Sequence, residues 1–159
     1  MSDARPEPDA LRSALEAAGW RCTRQRQAIY DELARMADRH GHPTAEEVYQ
    51  AVRPEVPSIS LATVYKGLEA LVASGLVTKL ATDDGSARYD ARSESHYHLR
   101  CLRSGEVQDL PTPFDPDLVV KLDPDLGRNL DARGFRLTGY RLELVGYFEE
   151  ADVPNGGSP

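Results

Sequence analysis

Three helix-start signals in quick succession constrain this chain more than anything else in it. Thr23, Thr44 and Ser60 each stand directly ahead of an apolar repeat, where a hydroxyl oxygen can accept from backbone N–H groups that the first helical turn leaves without partners. After Thr23, "RQRQAIYDELARMA" carries Ile29, Leu33 and Met36 as a stripe at helical spacing. After Thr44, Glu47 follows at the capping-box distance, and Pro54 and Pro57 end a short helix. After Ser60, "LATVYKGLEALVAS" sets Val64, Leu68, Leu71 and Val72 on one face and Ala62, Thr63, Lys66 and Glu69 on the other, and Gly75 closes it. A further helix over Ala10 to Ala18, with Leu11 and Leu15 in phase, precedes the three and ends at Gly19. "LVTKLAT", the turn "DDGS" and "ARYDAR" then read as two strands of an Asp-Gly hairpin. Helices followed by a hairpin is the order of a winged helix-turn-helix.

Beyond the hairpin, residues 96–110 and 134–148 are expected to be strands, "YRLELVGYF" having a period of two, with a helical stretch from Asp117 to Arg133 split or kinked at Pro124. The expected class is α+β: a winged helix-turn-helix domain over 10–90, then a small α/β domain over 91–150. Residues 1–9 and 151–159, rich in Pro, Gly and charge, are expected to be disordered tails. A chain of 159 residues with 40% hydrophobic residues can build its core without staples, so a metal need not be present for folding alone. Two isolated cysteines make no disulfide framework, "MSDARPEPDALR" lacks a signal-peptide pattern, and no apolar run is long enough to span a bilayer. A cytoplasmic protein with no membrane partner is the expectation.

A net charge of −7 argues against indiscriminate coating of nucleic acid. Locally the balance reverses: "WRCTRQRQ" places Arg21, Arg24 and Arg26 close together with no acid after them until Asp31, a cluster suited to phosphates. On the helix after Ser60, the small or hydrogen-bonding residues Ala62, Thr63 and Lys66, bordered by Tyr65, suit entry into a major groove. The competing reading is a solvated helix face with a tyrosine packed at its edge.

"SHYHLRCLRSGEVQD" raises a different chemistry. His96 and His98, spaced by two, point to one side of a strand, so two imidazoles can reach one ion. By themselves they read as two exposed strand histidines. Asp90 at the end of the hairpin, Asp109 at the end of the quoted stretch and His42 at the break before "PTAEEVYQAV" bring the set to three imidazoles and two carboxylates, a neutralising set for a divalent ion.

The order "TRQRQAIYDEL", "HPTAEEVYQAV", "SLATVYKGLEALVASGLV", "ARYD", "HYHLRC" resembles the ferric uptake regulator (Fur) family of metal-dependent repressors from about Leu11 to Phe148. The resemblance implies a winged-helix domain, a C-terminal α/β dimerisation domain and a regulatory metal between them. It also implies a homodimer acting on double-stranded DNA at a palindromic operator. Matched by motif, the metal positions are His42, Asp90, His96, His98 and Asp109; the expected DNA-facing residues are those of the basic cluster and the helix face, Arg21, Arg24, Thr63, Tyr65 and Lys66.

Aspartate at both 90 and 109 resembles the family's peroxide-sensing branch, in which an iron site oxidises its own histidines, and implies His42 and His96 as the targets. A ligand set without thiolate favours Mn²⁺ or Fe²⁺ over Zn²⁺, which stays possible. Cys101-Leu-Arg-Ser104 replaces one of the paired-cysteine motifs that hold a structural zinc in many members, and the other is absent, so no Cys₄ site is expected. Where some members have a further site, this chain has Tyr97 and Tyr140. The rival readings are a zinc-responsive member, a mononuclear His/carboxylate metalloenzyme, and a winged-helix protein with a vestigial site.

Overall fold

The computed structural model describes residues 8–39, 41–82, 85–92 and 94–149. Helix α1 (Pro8–Ala17) opens on proline, whose fixed φ suits the first helical position, and carries Asp9 at the positive end of the helix dipole. The helix thus takes Pro8 and Asp9 from the stretch 1–9 expected to be a tail, and ends at Ala17 rather than Ala18. Residues 1–7 and 151–159 lie outside the described residues.

Each expected cap forms. Thr23 Oγ1 accepts from Arg26 N–H at 3.3 Å ahead of α2 (Arg24–Ala37). At α3 (Ala45–Val52), Glu47 N–H donates to Thr44 Oγ1 at 3.3 Å while Thr44 N–H donates to the Glu47 carboxylate at 2.8 Å. Ser60 Oγ accepts from Thr63 N–H at 3.1 Å at the head of α4 (Leu61–Ala73). Leu11, Leu15, Ile29, Leu33, Val48, Val64, Leu68 and Leu71 are buried together where these helices meet. Gly67 is what allows α2 and α4 so close: a Cβ there would stand 2.5 Å from Ile29 Cδ1.

Strands β1 (Thr78–Ala81) and β2 (Ala87–Asp90) form the wing, antiparallel with Thr78 opposite Asp90. Gly85 takes the positive φ the turn needs, and Asp83 and Asp84 lie outside the described residues. Tyr89 N–H donates to the Pro43 carbonyl at 2.9 Å, and Thr44 bridges Arg88. These contacts tie the wing to the start of α3 and bring the segment of His42 beside Asp90.

The second sheet has the order β4-β3-β5: β3 (Tyr97–Cys101) pairs antiparallel with β4 (Val107–Leu110), placing His98 opposite Asp109, and parallel with β5 (Glu143–Gly146). Between β4 and β5 run α5 (Leu118–Leu122) and α6 (Leu126–Ala132), separated by the segment that holds Pro124. The strand expected over 134–148 is much shorter. β5 pairs with only four residues of β3, His98 to Cys101, and Val145 and Tyr147 remain 60% and 62% exposed, so its apolar alternation is left largely uncovered among the described residues. Leu122, Phe135 and Leu144 are exposed as well.

Two arginines lace the units together. Arg88 donates from Nε to the Gly105 carbonyl at 2.9 Å and from Nη1 to the His42 carbonyl at 3.0 Å. Arg100 Nη2 donates to the Ala81 carbonyl at 2.8 Å and pairs with Glu143, also at 2.8 Å. No helix among the described residues is long and apolar enough to cross a membrane.

Candidate metal centre

The five expected ligands come from four separate places in the fold and meet at the seam between winged helix and sheet. His42 sits in the loop between α2 and α3, beside the isolated bridge of Gly41 to Gln108. Asp90 ends β2, His96 precedes β3, His98 lies on β3 and Asp109 on β4. His42, Asp90 and Asp109 are buried polar residues at 3%, 3% and 8% exposure.

One oxygen of Asp109 is the hub: Oδ1 lies 2.7 Å from His42 Nε2 and 3.1 Å from His96 Nε2. Asp90 Oδ2 lies 3.0 Å from His96 Nε2 and 3.5 Å from His98 Nε2, and Asp90 Oδ1 is 3.6 Å from His42 Nδ1. His42 Nδ1, His96 Nε2 and His98 Nε2 are buried, close to carboxylates by distance yet off the hydrogen-bond line. Nitrogen atoms left so in a protein interior require another partner. One donor atom from each of His42, His96, His98 and Asp109 can be chosen so that all lie within 4.8 Å of one another.

The electrostatics follow from that crowding. Burial works to raise the Asp90 carboxyl, but the imidazoles of His96 and His98 outweigh it and hold the group well below the usual carboxylate range. Asp109 is likewise pulled far down against its burial, by His42, His96 and Arg92. Asp109 and then Asp90 push His96 up to about 10. His96 Nδ1 donates to the Glu94 carbonyl at 2.7 Å, which fixes the ring and directs Nε2 at the carboxylates, where it carries either a proton or a metal. Three nitrogens and two carboxylate groups in a buried seam suit a divalent first-row ion such as Mn²⁺, Fe²⁺ or Zn²⁺.

Sequence reasoning missed Arg92. Its backbone N–H donates to Asp90 Oδ1 at 2.8 Å and its Nη1 pairs with Asp109 Oδ2 at 2.5 Å. Its position two residues after Asp90 was the available signal, yet the reach to Asp109 depends on the tertiary fold. Arg88 was missed for the same reason. Cys101 is buried, and Ser104 Oγ accepts from Glu106 N–H at 3.2 Å. The Tyr97 and Tyr140 hydroxyls hydrogen-bond to each other at 2.8 Å; Asp115 N–H donates to Tyr97, and Tyr140 donates to the Asp115 carbonyl.

On the surface of the winged helix, Arg21, Arg24, Tyr65 and Lys66 are exposed and Thr63 half-buried. Tyr65 donates to the Glu46 carboxylate at 2.7 Å, and the Thr63 hydroxyl lies 2.9 Å from that of Ser60. Arg26 is drawn back from the expected cluster: its guanidinium stacks 5.0 Å over Trp20 and donates to the Arg21 carbonyl at 2.5 Å.

A winged helix joined to a small α/β unit, with a buried His/Asp cluster at the joint, defines a two-domain DNA-binding regulator. Residues 17–119 match the model of the Ferric uptake regulator family. The chain belongs to that family and is a metal-dependent transcriptional repressor. It is 36% identical over 138 residues to the peroxide-responsive repressor PerR of Staphylococcus epidermidis, covering 87% of this chain and 85% of that protein. Among solved structures, the ferric uptake regulator of Pseudomonas aeruginosa with manganese aligns with a TM-score of 0.61 at 30% identity, over 87% of this chain and 97% of that one. The Campylobacter jejuni peroxide stress regulator aligns with a TM-score of 0.58 at 27% identity, over 92% and 98%.

Proposed function

We propose that His42, Asp90, His96, His98 and Asp109 bind one regulatory Mn²⁺ or Fe²⁺, and that this binding sets the angle between winged helix and sheet. The observation that carries the reading is the trio of buried imidazole nitrogens off any hydrogen-bond line, facing two buried carboxylates contributed by both units. Binding energy becomes DNA affinity only where the domain arrangement differs with and without the ion. His42 supplies that link, because it alone of the three imidazoles comes from the helical part of the winged helix.

The exposed apolar residues of β5 and of the segments around α5 and α6 support assembly as a homodimer, which would present two α4 helices to a palindromic operator in double-stranded DNA. Arg21, Arg24 and Lys66 would meet phosphates, with Thr63 and Tyr65 toward base edges. Cytoplasmic action on genes of metal homeostasis or oxidative stress follows from that role.

Peroxide response is the finer part of the proposal. Iron, when bound, supplies one-electron reduction of the peroxide O–O bond, which manganese is far less prone to do. By resemblance to the peroxide-sensing branch, His42 and His96 would be the residues oxidised, and both approach Asp109 Oδ1, at 2.7 and 3.1 Å. The cluster contains no thiolate, so a dedicated zinc sensor is the weaker reading.

Equilibrium metal binding followed by DNA-shift assays on the chain's own promoter region, with Mn²⁺, Fe²⁺ and Zn²⁺ in parallel, tests the whole reading. DNA retention with manganese or iron supports it. Retention with zinc alone transfers the role to zinc, and metal binding without any DNA shift removes the regulatory role of the centre.

A further inference from the structure

Tyr65 and Glu46 join the two helices of the helix-turn-helix across their outer face. Glu46 stands in the first turn of α3 and Tyr65 in the second turn of α4, and the Tyr65 hydroxyl donates to the Glu46 carboxylate at 2.7 Å. Tyr65 is 46% exposed and lies outside the buried core cluster, so this tether, rather than packing, fixes where its ring lies. We propose that Glu46 is a positioning residue for sequence reading: it pins Tyr65 so that the ring edge, and not a free hydroxyl, is what α4 presents to thymine methyls in the major groove.

The inference rests on the reading of α4 as the DNA-facing helix and deepens it. A phenol can read DNA in two ways, by its O–H or by its apolar edge. An ionised carboxylate only accepts, so the bond to Glu46 uses the one proton the hydroxyl has to give. Each partner marks the other: Tyr65 is the main reason the Glu46 carboxyl lies below its ordinary value, and Glu46 the main reason the Tyr65 hydroxyl lies above its own. At neutral pH the pair is a neutral phenol on a charged acceptor, the stronger kind of hydrogen bond. A ring already held in its reading position also gives up less freedom on binding.

The charge has a separate effect. A carboxylate on a surface that meets phosphates weakens binding to every sequence alike. Glu46 thus lowers general affinity while ordering the side chain that discriminates, which no merely structural contact would do. The capping box of α3 is made by Glu47, so variants at Glu46 leave that cap in place.

The test uses the full Mn²⁺-loaded chain and the shortest fragment of its own promoter region that it shifts. Thymines are replaced one at a time by deoxyuridine, which deletes only the methyl. Wild type is expected to lose roughly fourfold in affinity at one thymine of each half-site, the size of one buried methyl contact. In Glu46→Ala the ring is free and this penalty disappears. Glu46→Gln, whose amide oxygen can accept the same hydrogen bond, keeps the penalty and binds operator and unrelated DNA more tightly by one common factor. Tyr65→Phe keeps the ring without the tether, so it matches Glu46→Ala, and the double variant is no worse than either. A methyl penalty that survives in Glu46→Ala overturns the positioning role. So does Tyr65→Phe losing operator affinity where Glu46→Ala gains it, for then the hydroxyl itself meets the DNA. Failure of the underlying reading looks different: Tyr65→Ala with every wild-type penalty intact takes this face of α4 off the DNA, and with it the role of Glu46.

Discussion

His42 Nε2 and Asp109 Oδ1 lie 2.7 Å apart across a separation of 67 residues, one on the loop that leads into α3 and the other on β4 of the second unit. A metal at this point is therefore a cross-link between units, and its gain or loss changes which interdomain arrangement is favoured. Losing His42 should uncouple the two functions. In His42→Ala, Mn²⁺ affinity is expected to fall by at least the roughly 10–100-fold that loss of a supporting partner costs. DNA affinity should fall to the metal-free level while helix content is unchanged. Manganese titration beside a DNA-shift assay checks this; undiminished metal-dependent DNA binding would show that the link runs elsewhere.

The same cluster sets how the metal-free protein responds to pH. His96 is raised to about 10, first by Asp109 and then by Asp90, so its contribution to stability is complete below its ordinary value of 6.5 and is lost as pH rises toward 10. Asp90 and Asp109 are depressed, so theirs is present above 3.8 and is lost only as pH falls far below that. Urea midpoints of chelator-treated protein should decline between about pH 6.5 and 10. Mn²⁺, which replaces the proton on Nε2, should abolish that decline and bind more tightly across the same window. A metal-free profile flat from neutrality to pH 10 would contradict the ion-paired His96.

Local chemistry made most of the winged helix legible. The caps at Thr23, Thr44 and Ser60 and the hairpin strands depend on neighbours in sequence, and the five candidate ligands could be gathered by residue type and by their resemblance to a known pattern. What stayed hidden depends on tertiary distance. Arg92 meets Asp109 and Arg88 meets the His42 carbonyl only after the units dock. The extent of β5 was misread because alternation in "YRLELVGYF" reports two faces but not how long a partner strand is; β3 offers only five residues.

Gly67 offers a test of the fold independent of metal. A methyl added there meets Ile29 Cδ1 at 2.5 Å inside the α2–α4 contact, and Ile29 is fully buried. Overpacking of roughly 1–3 kcal/mol should exceed the gain of about 1 kcal/mol from replacing glycine by alanine in a helix. Gly67→Ala is thus expected to be destabilising in wild type. Ile29→Val removes Cδ1, so the same substitution in that background should be much less harmful or stabilising. A double-mutant cycle from denaturant unfolding reads the coupling, and additive effects would mean that the helices simply move apart.

On the DNA side, Lys66→Ala and Arg21→Ala should weaken binding to all sequences alike and lower the salt slope by about one each, as expected for lost phosphate contacts. Tyr65→Ala should act differently. It removes an aromatic edge that can meet thymine methyls and releases Glu46, so discrimination among operator variants should relax. Binding curves across a salt series separate the two behaviours, and wild-type binding by all three variants would exclude α4 and the Arg21 segment from the DNA interface.

The proposed peroxide response makes the sharpest demand on the site. Conversion of an imidazole C–H to an oxo-imidazole removes two electrons from the ring, and these reduce one H₂O₂, leaving one oxygen on the histidine and one in water. By likeness to the peroxide-sensing branch the imidazoles expected to react are His42 and His96, which both lie within 3.1 Å of Asp109 Oδ1, whereas His98 approaches Asp90 only at 3.5 Å. Iron-loaded protein given peroxide should therefore gain one oxygen on His42 or His96 and release DNA. Manganese-loaded protein at the same dose should gain none and keep its DNA. Peptide mass spectrometry on both forms, beside the DNA-shift assay, reads the two outcomes together. DNA retained by the iron form with neither histidine oxidised would leave a manganese or iron sensor, with no part for peroxide.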